Sequence, residues 1–147
     1  MNQPLHFVAA GAALTLSLLC SAAQAQSPGM VDNSLYQALG EKPGLVTLMD
    51  DFMTRLLADA RTAPHFKPAN QQRVKEQLVD QFCVVSGGPC VYKGADMKSS
   101  HANLEITRAD FNAQVEVLQQ TMDARGIAFG TQNQLLARLA PMHRDTI

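Results

Sequence analysis

The sequence has no surplus of charge of either sign. Twelve lysines and arginines face thirteen aspartates and glutamates, a formal net charge of -1. Nucleic-acid binders usually carry a clustered basic surplus, because neutralising phosphates supplies much of their affinity. No Lys/Arg run and no basic strand with interleaved aromatics occurs, so a nucleic-acid partner is set aside. The signatures of common hydrolytic chemistry are missing too: no GxSxG nucleophile elbow, no HExxH pair, no Cys/His quartet for zinc. There is no Gly-rich phosphate loop and no internal repeat. Asp50 and Asp51 are adjacent, which points them to different helix faces and rules out a carboxylate pair by local geometry.

Long apolar runs are scarce. The one that stands out, Phe7 to Leu19, is uncharged but shorter than the roughly 20 residues a membrane helix needs. Ser21-Ala22-Ala23-Gln24-Ala25 follows, with Ala23-Gln24-Ala25 as a small-x-small cleavage site. Residues 1–25 therefore read as a secretory signal peptide, although Met1 to His6 carries no Lys or Arg. Leu19 before Cys20 stands where a lipoprotein would need a small residue. The expectation is export to the periplasm or extracellular space, with no stable membrane anchor after cleavage. Residues 26–33, with Pro28 and Gly29, read as a flexible lead, and 34–147 as the folded domain.

Cysteine is scarce as well. With Cys20 removed, Cys83 and Cys90 remain, an even pair that suggests a disulfide in an exported protein. Their spacing does not fit a CxxC redox or zinc motif, and two reduced thiols are the alternative. The enclosed loop is short, so a bridge would contribute about 2.5 kcal/mol through loop entropy.

What is present is helical periodicity. At 15.9 kDa, 46% hydrophobic and 17% charged, the chain fits one ordinary globular domain. Asp32, Asn33 and Ser34 offer N-caps for a short helix ending at Leu39-Gly40. Pro43 reads as the first residue of a second helix, whose apolar stripe is Leu45, Leu48, Met49, Phe52 and Leu56. Asp59 to Pro68 reads as a connection with at most one helical turn. Asn70 caps a third helix carrying Val74, Leu78, Phe82 and Val85, which Gly87-Gly88-Pro89 ends. Residues 87–106 form a loose stretch with a short segment around Met97. Thr107-x-x-Asp110 resembles a capping box and opens a helix with Phe111, Val115, Leu118 and Met122 inside. Gly126 and Gly130 bound the next loop, and a last helix holds Leu135, Leu136 and Leu139, with Pro141 near its end. No alternating strand pattern appears. The fold class is all-α, with four main helices.

Three histidines remain beyond the leader. His143, near the end of the chain, reads as solvated, and His65, in Pro64-His65-Phe66, as a surface residue. His101 lies between Met97 and Ile106, and spacing leaves it open as a packing histidine or a metal or haem ligand. The methionines read as core filler.

Taken together, these residues resemble a group I truncated haemoglobin over Ser34 to Ile147. The resemblance rests on Ser34-Leu35-Tyr36-x-x-Leu39-Gly40, Asp50-Asp51-Phe52, Phe66, Gly87-Gly88-Pro89, Tyr92-x-Gly94 and Asp96-Met97-Lys98. It ends on Ile106-Thr107-x-x-Asp110-Phe111 and Leu139-Ala140-Pro141. It implies a truncated two-over-two globin sandwich around haem b, with His101 as the proximal iron ligand. Phe52, Phe66, Val74 and Leu78 would line one side of the haem, and Met97, His101, Ile106 and Phe111 the other. A Cys83–Cys90 bridge would then tie the third helix to the loop before the iron ligand. One departure is local: the family's Gly-Gly after the first helix is here Gly40-Glu41.

A second departure bears on function. The family often places a tyrosine just after the helix-two phenylalanine and a glutamine on the third helix, over the iron. This sequence has Met53 and Leu78 there. Bound oxygen carries partial negative charge and is held by a hydroxyl or amide donor, for about 1 kcal/mol or more. Neither Met53 nor Leu78 can donate. Val74, Gln77 and Leu78 share one helical face, which leaves Gln77 as the evident distal donor. The expectation is a diatomic-gas binder (oxygen, nitric oxide or carbon monoxide) with weakened oxygen retention, shifted towards carbon monoxide. Nitric oxide dioxygenation needs a long-lived oxygen adduct, so simple ligand binding is the expected activity, with enzymatic turnover left open. An alternative is an exported electron-transfer haem protein with Met53 or another side chain as sixth ligand and a reductase or electron donor as partner. A third reading is a haemless interaction or copper-handling module using Met53, Met97 and His65.

Overall fold

A computed structural model describes residues 32–147. The expected signal peptide, its cleavage site and nearly all of the lead lie outside the described residues. Among those described, every regular element is a helix: α1 (Ser34–Ala38), α2 (Glu41–Ala58), α3 (Ala63–Phe66), α4 (Gln71–Val85), α5 (Met97–His101), α6 (Arg108–Ala124), α7 (Phe129–Leu139) and α8 (His143–Thr146). A single 3-10 turn, Ala140–Met142, joins the last two.

The four long helices are those the periodicity marks, α2, α4, α6 and α7. Leu45, Leu48, Met49, Phe52 and Leu56 form the expected stripe on α2, each no more than 1% exposed. They pack with Val79, Phe82 and Cys83 of α4, Val117, Leu118 and Met122 of α6, and Leu135 of α7. The two adjacent acids of α2 point apart as expected. Asp50 receives Lys75 Nζ of α4 at 2.6 Å, and Asp51 receives Arg125, just past α6, at 2.6 Å. These exposed pairs orient the helices more than they stabilise them.

Helix ends follow from local chemistry. The Asn70 side chain accepts from the Arg73 amide, and Thr107 and Asp110 form the full capping box at the start of α6. Two boundaries differ from expectation. α2 begins at Glu41, not Pro43: proline has no N–H to donate, but neither does the first helical turn have a partner for one, so Pro43 sits there without loss. Gly130 lies inside α7 instead of bounding the preceding loop. The turn at Gly40-Glu41, where the resemblance implies Gly-Gly, keeps both residues left-handed, at φ 80° and 57°, so the glutamate carries a strain that glycine would not.

Gly87 and Gly88 end α4 against α1. Gly87 has φ 88°, and a Cβ there would run into the Asp32 carbonyl oxygen; at Gly88 it would press on Tyr36 and the Cys83 sulfur. The Tyr36 amide donates to the Ser86 carbonyl at 3.1 Å across this contact. The chain then runs without regular structure to Met97. Among the described residues no helix is long and apolar enough to cross a membrane.

Candidate functional site

α5 is five residues long and buries none of them. It is built by its cap. Asp96 Oδ1 accepts from the Ser99 amide at 2.7 Å and Oδ2 from the Ser99 hydroxyl at 2.9 Å. These bonds, the amide's first, hold the Asp96 carboxyl below its ordinary range. The turn ends at half-buried His101, whose Nδ1 lies 2.8 Å from the Met97 carbonyl oxygen and 3.2 Å from Ser100 Oγ. A carbonyl only accepts, so Nδ1 donates, and in the neutral ring this leaves the Nε2 lone pair free. That is the second-partner arrangement of a metal-ligating histidine, with the orienting acceptor supplied by the helix itself. Among the described residues no three His, Cys, Asp or Glu side chains converge as a protein-only metal site.

The expected wall residues fall into two groups. Phe52 is buried in the continuous core, and Phe66 and Leu78 pack against that core while half-exposed. Val74, Gln77, Met97, Ile106 and Phe111 are half-buried, and none of the apolar ones among them belongs to the core cluster or packs against it. Met53 is 4% exposed yet also stands outside that cluster. A set of apolar side chains half out of water and not seated on the main core fits a large apolar group better than it fits a finished protein interior. The donor chemistry of His101 and this lining agree with haem.

Cys83, fully buried on α4, is joined to Cys90 in the loop that leads to α5, with Cα atoms 5.8 Å apart. Two histidines sit differently from expectation. His143 is not solvated: its ring packs edge-on against Phe111 near the start of α6, centroids 4.6 Å apart, while α8 also lies against α5. His65 is half-buried, and its Nε2 lies 3.5 Å from Asp110 Oδ1, linking α3 to the start of α6. One participant was missed altogether. Gln81, 9% exposed, donates from Nε2 towards the sulfurs of Met97 and Met142 at 3.4 Å each. Its signal was available, since 74, 77, 78 and 81 share one face of α4. Two surface recesses, of about 290 Å³ beside Phe129 and about 360 Å³ between α2 and α4, do not include His101.

A family profile described as bacterial-like globin matches residues 34–147. The chain is 31% identical over 109 residues to the group 1 truncated haemoglobin GlbN of Mycolicibacterium paratuberculosis, spanning 74% of this chain and 80% of that one. The chain belongs to the group 1 truncated haemoglobins. To GlbN of Nostoc commune this globin is 26% identical over 110 residues, 75% of its own length and 93% of the relative's. The ferric truncated haemoglobin of Tetrahymena pyriformis superposes with a TM-score of 0.74 at 25% identity, over 77% of this chain and 97% of that one. The 2/2 haemoglobin of a Synechococcus species, solved in its cyanomet state with covalently attached haem, has the same fold, with a TM-score of 0.71 at 21% identity over 76% of this chain and 96% of that one. The two-over-two globin architecture is thus the fold of this chain.

Proposed function

We propose that this globin binds a diatomic gas on the iron of haem b, that His101 is the proximal ligand, and that its distal side is largely apolar. Haem is the cofactor of the family, and it supplies an iron atom able to take up oxygen, nitric oxide or carbon monoxide. The observation that carries the assignment of His101 is the 2.8 Å contact from its Nδ1 to the Met97 carbonyl, which reserves Nε2 for the metal.

The other residues follow from position and chemistry. Phe66, Val74 and Leu78 on one side, with Met97, Ile106 and Phe111 on the other, cover apolar surface and keep water from the iron. Phe52 backs the first group from the core, and Met53, buried but outside the core cluster, adds to the distal side. Met53 is a thioether and Leu78 an alkyl group, so neither donates a hydrogen bond. Gln77 on α4 is the amide able to do so. Oxygen is accordingly held less firmly than where a tyrosine hydroxyl faces the ligand, and carbon monoxide, which needs the donor less, is favoured. Simple binding suits this pocket better than turnover of nitric oxide.

Optical spectra of the ferric, ferrous and carbonyl forms test the proposal, with His101→Ala beside wild type. A Soret band that the substitution abolishes or displaces is expected; an unchanged spectrum overturns the ligand assignment. A thioether signature in the resting spectrum would instead favour electron transfer through Met53, with a reductase as partner. The copper-handling reading gains no support: His65 faces Asp110 and the Met97 sulfur faces Gln81. Export belongs to the same proposal, resting on the signal-like leader, and N-terminal sequencing of secreted material should begin at Gln26.

A further inference from the structure

The face of α4 that carries Val74, Gln77 and Leu78 continues to Gln81. Gln81 is nearly buried, and its amide nitrogen meets two thioether sulfurs, Met97 Sδ and Met142 Sδ, each at 3.4 Å. Sulfur is a weak acceptor, and burying an amide costs more than burying an alkyl group of similar size. A leucine would fill the space at lower cost. What the amide adds is direction: it fixes two unbranched, flexible side chains that otherwise sample several rotamers.

Both methionines belong to the proximal side. Met97 is the first residue of α5, and its carbonyl accepts from His101 Nδ1. Met142 ends the 3-10 turn that leads into α8, which packs against α5. α5 buries no residue of its own, so its register depends on few attachments. We propose that Gln81 is a positioning residue for the proximal imidazole. By holding the Met97 side chain it fixes the start of α5, and with it the carbonyl that orients His101. Through Met142 it holds the segment that backs α5. The proposal rests on the reading of His101 as iron ligand for its consequence, but not for the coupling itself.

The coupling is testable without haem. In the apoprotein, Gln81→Leu is expected to move the ε-methyl resonances of Met97 and Met142 towards the values of mobile methionines. It should also mix the His101 tautomers, read from the imidazole nitrogen shifts. In the haem-loaded protein the same substitution should shift and broaden the ferrous iron–imidazole stretching band. Haem release should accelerate about fivefold, the factor that one net hydrogen bond carries. Met97→Leu removes the sulfur acceptor at nearly constant volume and should give the same tautomer mixing, with the double variant no worse than the more affected single one. Wild-type tautomer populations in either folded single variant overturn the proposal, and Met97→Leu decides it if Gln81→Leu does not fold. His101→Ala with an unchanged haem spectrum would sink the iron-ligand reading, whereas the apoprotein coupling from Gln81 to His101 stands or falls separately.

Discussion

The Met97 carbonyl oxygen lies 2.8 Å from His101 Nδ1, while Ser100 Oγ stands at 3.2 Å from the same nitrogen. Two acceptors compete for one proton, and the shorter contact belongs to the backbone. The Ser100 hydroxyl donates to the Asp96 carbonyl at 2.7 Å, so towards Nδ1 it acts only as the longer, second acceptor. The imidazole is therefore oriented by the helix and not by the serine. Ser100→Ala is expected to leave the ferrous iron–imidazole stretching band where it is in wild type, within a few wavenumbers. A large displacement would transfer the orienting role to the hydroxyl.

The distal side gives a prediction of opposite kind. Gln77 is half-buried on α4, one residue from Leu78, and Met53 is buried on α2. If Gln77 supplies the hydrogen bond, Gln77→Leu should raise the oxygen dissociation rate about fivefold and leave carbon monoxide release nearly unchanged. Met53→Tyr places a hydroxyl where an apolar chain stood and should slow oxygen release about tenfold, because a donor to a partly charged acceptor is worth more than a neutral pair. Stopped-flow displacement measures both. Identical oxygen release in wild type and Gln77→Leu would remove Gln77 from the pocket.

The helices and their caps were legible because each depends on neighbours in sequence. Asn70 and Thr107-x-x-Asp110 are local chemistry, and the α2 stripe is local periodicity. His143 was not legible, since its contact with Phe111 brings the chain end back to the start of α6, 32 positions earlier, and nothing within four residues of the chain end encodes that return. Gln81 was overlooked for a different reason. A polar residue on an apolar face reads as a break in the stripe until the two sulfurs it meets, 16 and 61 positions away, are in view. His101 stood between: its spacing left it open, and only the order of surrounding motifs singled it out. The loop after it holds Asn103 and Glu105 at φ 66° and 51°, left-handed conformations that neither residue type announces in sequence as glycine would.

Acid should loosen the segment around His101 first. Asp96 caps α5 and Asp110 closes the capping box of α6, so the two carboxylates hold both ends of the stretch that bears His101. The Ser99 bonds lower the Asp96 pKa; for Asp110 the Thr107 hydroxyl leads, then the Thr107 backbone, with His65 adding to it. A pKa lower in the folded than in the unfolded chain means that the unfolded state binds more protons. The stabilisation is then complete above the unfolded carboxylate value, about 4, and is lost as pH falls through the folded one. Amide exchange in residues 96–110 is expected to rise below about pH 4 before that of α2 or α4. Asp96→Asn and Asp110→Asn, which keep a side-chain oxygen for capping, should flatten the dependence. Equal acid response in wild type and the double variant would exclude these carboxylates as its source.

The bridge from Cys83 to Cys90 anchors the loop before α5 to a helix whose cysteine is entirely buried. Opening it frees eight residues of loop in the unfolded chain, which the loop-entropy relation equates to about 2.5 kcal/mol of lost stability. The effect on function should exceed that on the framework, because α4 retains its contacts with α2 while α5 loses one of its few attachments. Reduction with dithiothreitol, or Cys90→Ser, is therefore expected to speed haem release while leaving helical content at neutral pH near that of the oxidised protein. Urea titration by circular dichroism gives the stability term, and transfer of haem to an apomyoglobin acceptor gives the release rate. Unchanged release after complete reduction would show that the bridge does not restrain the segment that bears His101.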